Sequence, residues 1–81
     1  MDVKMALRSR EKFVELAGKR VNKTIKDLRL VGNLSNRSNY KYEEEDVRAI
    51  FTTLERELKQ ARERFQSHLS ESAEKPFQLK L

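Results

Sequence analysis

The chain has 81 residues, 38% charged and 37% hydrophobic, and its 18 Lys and Arg against 13 Asp and Glu give a formal net charge of +5. The absence of cysteine excludes disulfides and thiolate metal sites, and no apolar run approaches the roughly 18–20 residues that a membrane span needs. We therefore expect one soluble, cytoplasmic, basic domain over residues 1–81.

Helix one is predicted over residues 9–31. Ser9 is its expected N-cap, and Gly32 is expected to end it as a left-handed residue. Gly18 lies inside the helix, where it costs about 1 kcal/mol relative to Ala, so a break there stays open. Apolar residues recur at spacings of three and four and form one stripe. They are Val14, Ala17, Val21, Thr24, Leu28 and Val31, with Phe13 and Ile25 beside them.

An Asn/Ser-rich connection is predicted over residues 32–42. Asparagine recurs there at every third position, at Asn33, Asn36 and Asn39, with serines between. Because Asn and Ser side chains compete for backbone hydrogen bonds, we expect a structured connection.

Helix two is predicted over residues 43–68. Acidic residues 43–46 occupy its first turn, where the helix dipole favours negative charge. A 3.5-residue apolar repeat follows, of the kind found in helices that pack along one another at about 20°. Its members are Val47, Phe51, Leu54, Leu58, Ala61 and Phe65.

Residues 69–81 are predicted to form a C-terminal arm. Pro76 blocks a helix, and Phe77, Leu79 and Leu81 then alternate with polar residues. Val3, Met5 and Leu7 alternate in the same way at the amino terminus. Either end is therefore interpreted as an extended arm or as a strand that pairs with a partner.

The predicted fold is an all-α, antiparallel two-helix hairpin that dimerises into a four-helix bundle. A single hairpin this short covers each apolar stripe on one side only and has a thin core, whereas a homodimer covers both sides. The residues expected in the core and the dimer interface are Val14, Val21, Leu28, Val47, Phe51, Leu54, Leu58 and Phe65.

Little in the sequence points to catalysis. The chain has one histidine and no cysteine, no glycine-rich phosphate loop and no residues at metal-ligand spacing. His68 continues the heptad of helix two and is interpreted as a helix-end residue. We expect no enzyme activity, no cofactor and no metal site.

The positive charge is concentrated in the first half of the chain. Residues 1–42 hold 11 Lys and Arg against 4 Asp and Glu, a net charge of +7, whereas residues 43–81 hold 7 against 9 and carry −2. Four lysines of helix one lie within about 60° of one another, opposite the apolar stripe. This pattern favours an anionic partner, DNA more than RNA. A solvated face or an acidic protein partner remains the alternative.

The predicted nucleic-acid-binding residues combine this lysine face with the connection, where a basic pair flanks a tyrosine that can stack on a base. They are Lys12, Lys19, Arg20, Lys23, Lys26, Arg29, Arg37, Tyr40 and Lys41. The alternative function is a protein-interaction module, such as an adaptor, an assembly subunit or an inhibitor encoded by a mobile element. Its arm, Phe77 to Leu81, would dock on the partner by strand addition.

Two resemblances accompany these predictions. The block from Gly32 to Tyr40, followed by Tyr42 and residues 44–47, resembles one in small uncharacterised bacterial helical proteins; the likeness covers roughly residues 12–65 and implies no function. Residues 3–8 also resemble the strand of ribbon-helix-helix DNA-binding proteins. That likeness implies two helices, residues 9–17 and 22–31, and three groove-facing residues, which are Lys4, Ala6 and Arg8.

Overall fold

The computed structural model of the chain describes residues 2–74, with side chains for residues 2–70. Within residues 2–74 it contains two α-helices, α1 over Val3–Asn33 and α2 over Glu44–Glu74, and no strand. The all-α prediction is confirmed. The chain divides into two compact units, Met1–Lys41 and Tyr42–Leu81, each with one helix. This division falls where the net charge of the sequence changes sign.

Helix α1 begins six residues before its predicted start. Asp2 is the N-cap, with φ −73° and ψ 154°, and its Oδ1 accepts a hydrogen bond of 2.9 Å from the backbone N–H of Lys4. The Asp2 carbonyl accepts the first helical bond, 3.0 Å from the N–H of Ala6. The prediction of Ser9 as N-cap is wrong, because Asp2 offers a capping carboxylate earlier in the chain.

The ribbon-helix-helix alternative is also wrong. Its strand, residues 3–8, forms the first turns of α1, and α1 continues through Gly18 without a break. The alternation of Val3, Met5 and Leu7 led to a wrong prediction of a strand, because a run this short does not distinguish a period of 2 from one of 3.6. Val3 and Leu7 are also one helical turn apart, and this second spacing is the one that the longer helix uses.

The earlier start lengthens the apolar stripe of α1. Its members alternate between spacings of four and three residues, and we call them the α1 stripe: Val3, Leu7, Arg10, Val14, Ala17, Val21, Thr24, Leu28 and Val31. Two members are polar, and each has a partner in its own helix. The Thr24 hydroxyl donates to the Arg20 carbonyl at 2.8 Å, and the Arg10 guanidinium lies 5.8 Å from the centroid of the Phe13 ring.

Helix α1 ends without the predicted glycine cap. Gly32 belongs to the helix, and neither glycine of the chain has a positive φ. The last turn tightens instead, since the N–H of Leu34 donates to Val31 and that of Ser35 to Gly32, both at 3.1 Å. Such i to i+3 bonds satisfy the last carbonyls without a left-handed residue.

Helix α2 begins one residue later than predicted, and its acidic first turn is confirmed as Glu44, Glu45 and Asp46. The Oδ2 atom of Asp46 accepts a hydrogen bond of 2.8 Å from the N–H of Glu43, the reciprocal half of a capping box. Glu44 forms an i,i+4 ion pair of 3.6 Å with Arg48.

The carboxyl end of α2 extends six residues past the predicted boundary, so residues 69–74 of the predicted arm are helical. The other arm residues, Phe77, Leu79 and Leu81 among them, lie outside the described residues. The repeat predicted for helix two lies within α2, and we call it the α2 stripe: Val47, Phe51, Leu54, Leu58, Ala61 and Phe65.

None of the side chains over residues 2–70 is buried. The large apolar members of the two stripes range from 37% exposed at Val47 and Leu54 to 75% at Val3, with Val31 half-buried. The residues predicted for the core and dimer interface are therefore on helices and in register, yet they form no buried core within the described part of one chain.

Candidate nucleic-acid interface

The four lysines predicted to bind nucleic acid lie on one face of α1. At about 100° per residue, Lys12, Lys19, Lys23 and Lys26 fall within about 60° of one another on the helix circumference. All four are exposed. We call this surface the lysine face; it lies opposite the α1 stripe and measures about 21 Å from Lys12 to Lys26 at 1.5 Å per residue.

The helical start at Val3 adds two cations that the predicted helix did not include. Arg8 falls within the lysine face, about 40° from Lys12, and Lys4 lies at its margin, about 80° from Lys12. With Arg8 the basic surface measures about 27 Å along the helix. Asp2 as a capping residue and the four-residue step from Val3 to Leu7 are the sequence signals that predict this extension.

The two predicted arginines of α1 flank the lysine face. Arg20 lies about 80° to one side of Lys12 and Arg29 about 100° to the other. Both are exposed. They widen the basic surface and do not lie along its centre.

One lysine of the face is held in an ion pair. The Nζ atom of Lys23 donates to Oδ2 of Asp27 at 2.8 Å, with 76% of the Lys23 side chain and 55% of the Asp27 side chain exposed. The hydrogen bond to Asp27, reinforced by its negative charge, raises the pKa of Lys23 above the ordinary lysine value. Lys23 is therefore a firmly protonated cation whose charge Asp27 partly neutralises.

The other three lysines, Lys12, Lys19 and Lys26, form no ion pair with any residue whose side chain the structure describes. No carboxylate holds any of the three at ion-pair distance in that part of the chain, although Glu15 is one helical turn from both Lys12 and Lys19. Over its full length α1 holds nine Lys and Arg against three Asp and Glu, a net charge of +6, whereas α2 holds five against eight and carries −3. The positive potential of the protein is therefore centred on α1.

A compact turn shapes the connection after α1. Asn36 organises it: its carbonyl accepts from the N–H of Asn39 at 3.1 Å and from that of Tyr40 at 3.0 Å. Its side-chain Oδ1 accepts from the N–H of Ser38 at 3.0 Å and from the Ser38 hydroxyl at 2.9 Å. This is an Asx turn closed by a helical turn, so the predicted structured connection is present.

The turn brings together the three predicted site residues of the connection. Arg37, Tyr40 and Lys41 line one shallow groove with Ser38 and Asn39. Tyr40 is 48% exposed, which leaves its ring accessible for stacking. The groove belongs to the same compact unit as α1.

His68 lies in α2, where it lines a shallow depression with Ala61, Arg64 and Phe65. No cluster of three or more His, Cys, Asp and Glu side chains that could hold a metal ion occurs within the described residues. In the same part of the chain, neither helix combines the length and apolar character that crossing a membrane requires.

Comparison of the chain with protein-family models, with curated proteins and with solved structures finds no match.

Proposed function

We propose that this protein is a non-enzymatic DNA-binding protein that holds the phosphate backbone with the lysine face of α1 and the groove of the connection. The observation that carries the proposal is the position of Lys12, Lys19 and Lys26 on one exposed face without an ion pair in the described part of the chain. A row of such lysines displaces the counterions that are condensed on nucleic-acid phosphates, and the release of these counterions drives binding.

The expected recognition is of the backbone and not of base sequence. A lysine ammonium is a compact point charge that suits phosphate oxygens, whereas the planar guanidinium of arginine is better suited to bidentate recognition of a base edge. The groove adds a second contact, with Arg37 and Lys41 on phosphates and Tyr40 stacked on an accessible base or sugar. Affinity should thus depend strongly on salt and weakly on sequence.

A mobility-shift titration of the full chain with a DNA duplex of about 30 base pairs tests the proposal. The affinity should fall with salt between about 50 and 200 mM, with a slope of about −0.9 for each phosphate contacted. Two duplexes of unrelated sequence should bind alike, and an RNA duplex of equal length tests the preference for DNA. No shift at about 50 mM salt, where such binding is strongest, would contradict the proposal.

For the assembly, we propose an antiparallel hairpin of α1 and α2 that dimerises into a four-helix bundle. A connection of ten residues, 34–43, suits antiparallel neighbours, and the exposed stripes supply the apolar surface that a bundle buries. A dimer also doubles the number of lysine faces. Analytical ultracentrifugation gives the mass directly, and a monomer at about 100 μM would contradict the dimer.

The second candidate function is a protein-interaction module, favoured by the exposure of the α2 stripe. Phe51, Leu58 and Phe65 are between 43% and 62% exposed, which suits a helix that packs on another protein. Deletion of residues 76–81 tests the predicted C-terminal arm, through which such a module would dock. Loss of protein-partner binding with DNA binding intact would favour the module. Unchanged binding of both would show that the arm is not the docking segment.

A further inference from the structure

We infer that α1 pairs with α1 of a second copy of this chain in antiparallel orientation, about a two-fold axis beside Ala17. The inference rests on the proposed dimer and adds which helix forms its centre and in which direction. It starts from an exposed surface, since four large members of the α1 stripe, Leu7, Val14, Val21 and Leu28, are each 49–59% exposed.

The order of residues along the α1 stripe is nearly the same in both directions. Val3 corresponds to Val31, and Leu7 corresponds to Leu28. In a symmetric dimer each contact between two positions occurs twice, so an antiparallel pair centred on Ala17 places like residues opposite one another. When one helix is reversed about this centre, each stripe residue falls within half a residue, about 0.75 Å along the helix, of its counterpart.

The inner positions continue the symmetry. Val14 corresponds to Val21, and Ala17 faces its own copy on the axis. Ala17 and the adjacent Gly18 are small, and a Cβ built on Gly18 meets no atom within 4 Å. Two α1 helices can therefore approach closely at the centre, where their axes are expected to be nearest.

Arg10 determines the direction. A parallel pair in register would place the two Arg10 guanidinium groups against each other in the middle of an apolar surface, which repels. The antiparallel pair places Arg10 opposite Thr24 of the second copy, so the two guanidinium groups are separated by about 21 Å along the axis and the like-charge contact is avoided.

Thr24 is suited to this position. Its hydroxyl already donates to the Arg20 carbonyl at 2.8 Å, so burial leaves no unsatisfied donor. Its methyl group is then available to pack against the Arg10 stem.

The apolar side of α1 offers surface to such an interface. Seven of its large apolar side chains, with Phe13 and Ile25 at the edges, are 40–75% exposed. A stable interface buries about 800 Å² per partner, so the α1 pair supplies part of it and the α2 stripes of the proposed bundle supply the rest. The lysine faces point away from this contact, so the pairing leaves them accessible to DNA.

Single-cysteine variants test the inference, because the full chain has no cysteine of its own. Oxidised Ala17→Cys should give a covalent dimer, since a disulfide needs Cα atoms within about 7 Å. Leu7→Cys should not link to itself, because its two copies would be separated by about 31 Å along the axis. A mixture of Leu7→Cys and Leu28→Cys should link.

Self-linkage of Leu7→Cys as efficient as that of Ala17→Cys would overturn the inference in favour of a parallel pair. A dimer by ultracentrifugation in which Ala17→Cys does not link would also overturn it, because α1 would then not lie at the two-fold axis. Mobility shifts on the same samples are an independent readout. DNA binding without linkage at Ala17 contradicts this inference alone, and linkage without DNA binding contradicts the DNA proposal alone.

A spin label at Ser9→Cys supplies a second measurement that leaves the stripe intact. Ser9 is exposed and not a member of the α1 stripe. An antiparallel pair separates the two labels by about 25 Å along the axis, whereas a parallel pair in register leaves them at the same height and separates them only across the pair. An inter-spin distance of about 25 Å or more supports the antiparallel pair, and any shorter distance overturns it.

Discussion

The Nζ atom of Lys23 lies 2.8 Å from Oδ2 of Asp27, and this pair is part of the surface that we propose contacts DNA. Asp27 is one helical turn from Lys23, so in the proposed complex it would compete with phosphate for the same ammonium group. An acidic residue at this place would lower the number of cations that the face offers to DNA.

Replacing Asp27 tests this competition. Asp27→Asn releases Lys23, so DNA binding should tighten and the salt slope should become steeper by about 0.9 per chain. Mobility shifts at several salt concentrations measure both. Glu57→Gln is the matched control, since it changes the net charge equally on the other helix, α2. Equal effects of the two variants would show that only total charge matters.

The pKa of Lys23 gives a pH prediction. A raised pKa in the folded state means that the stabilisation from the pair is fully present below the ordinary lysine pKa and is lost as pH rises through the raised value. The Lys23 Cε resonance should therefore titrate at lower pH in Asp27→Asn than in the unmodified protein. Identical titrations in the two proteins would show that the pair does not form in solution.

Neutralising the unpaired lysines should weaken DNA binding strongly. The triple variant Lys12→Gln, Lys19→Gln, Lys26→Gln removes three phosphate contacts, so the salt slope should decrease by about 2.7 per chain and the affinity on the order of 100-fold at about 100 mM salt. The control carries Arg56→Gln, Lys59→Gln and Arg64→Gln in α2, with the same change in net charge. An equal loss of affinity in the control would show that total charge, and not the lysine face, determines binding.

Two leucines of α1 provide a matched test of whether its stripe is covered. Leu28 is 49% exposed on the stripe, and Leu30 is 58% exposed on the lysine face. In the proposed dimer Leu28→Ala should cost about 2 kcal/mol or more of unfolding free energy, whereas Leu30→Ala should stay within about 0.5 kcal/mol. Urea denaturation at fixed protein concentration measures both. If Leu28→Ala and Leu30→Ala lower the unfolding free energy by equally small amounts, nothing covers the α1 stripe.

The Asp2 cap determines whether the first turns of α1 are stable. Asp2→Ala removes the 2.9 Å hydrogen bond from the N–H of Lys4. The helix should therefore lose about 1 kcal/mol of stability, and its circular dichroism signal should decrease. Asp2→Asn retains a side-chain oxygen and should cost less. Circular dichroism and amide exchange at Lys4 measure the effect, and unchanged exchange in Asp2→Ala would contradict the cap.

The sequence predicted the helical repeats and the charge pattern of α1 correctly because both depend on residues within a few turns of one another. The steps from Val14 to Val31 and from Val47 to Phe65 are long enough to identify a helical period. The helix ends were less predictable. The Ser9 side chain can form an N-cap, and the Gly32 backbone can form a C-cap. Whether either residue acts as a cap depends on whether the chain beyond it stays helical.

The earlier start of α1 at Val3 brought Val3 and Leu7 into the apolar stripe and Arg8 into the lysine face. The sequence contained these residues at helical spacing, but the short alternation of Val3, Met5 and Leu7 also fitted the two-residue period of a strand. The sequence likewise predicted that the connection is structured. It did not predict that the Asn36 turn brings Arg37, Tyr40 and Lys41 to one groove.

By itself, the sequence determined that this protein is helical, that each helix is amphipathic and that positive charge is gathered on the first. These properties follow from local spacing and need no knowledge of what packs where. Only the three-dimensional structure decided where the helices begin and end and that no side chain over residues 2–70 is buried. Burial depends on contacts between residues far apart in the chain, which periodicity does not report.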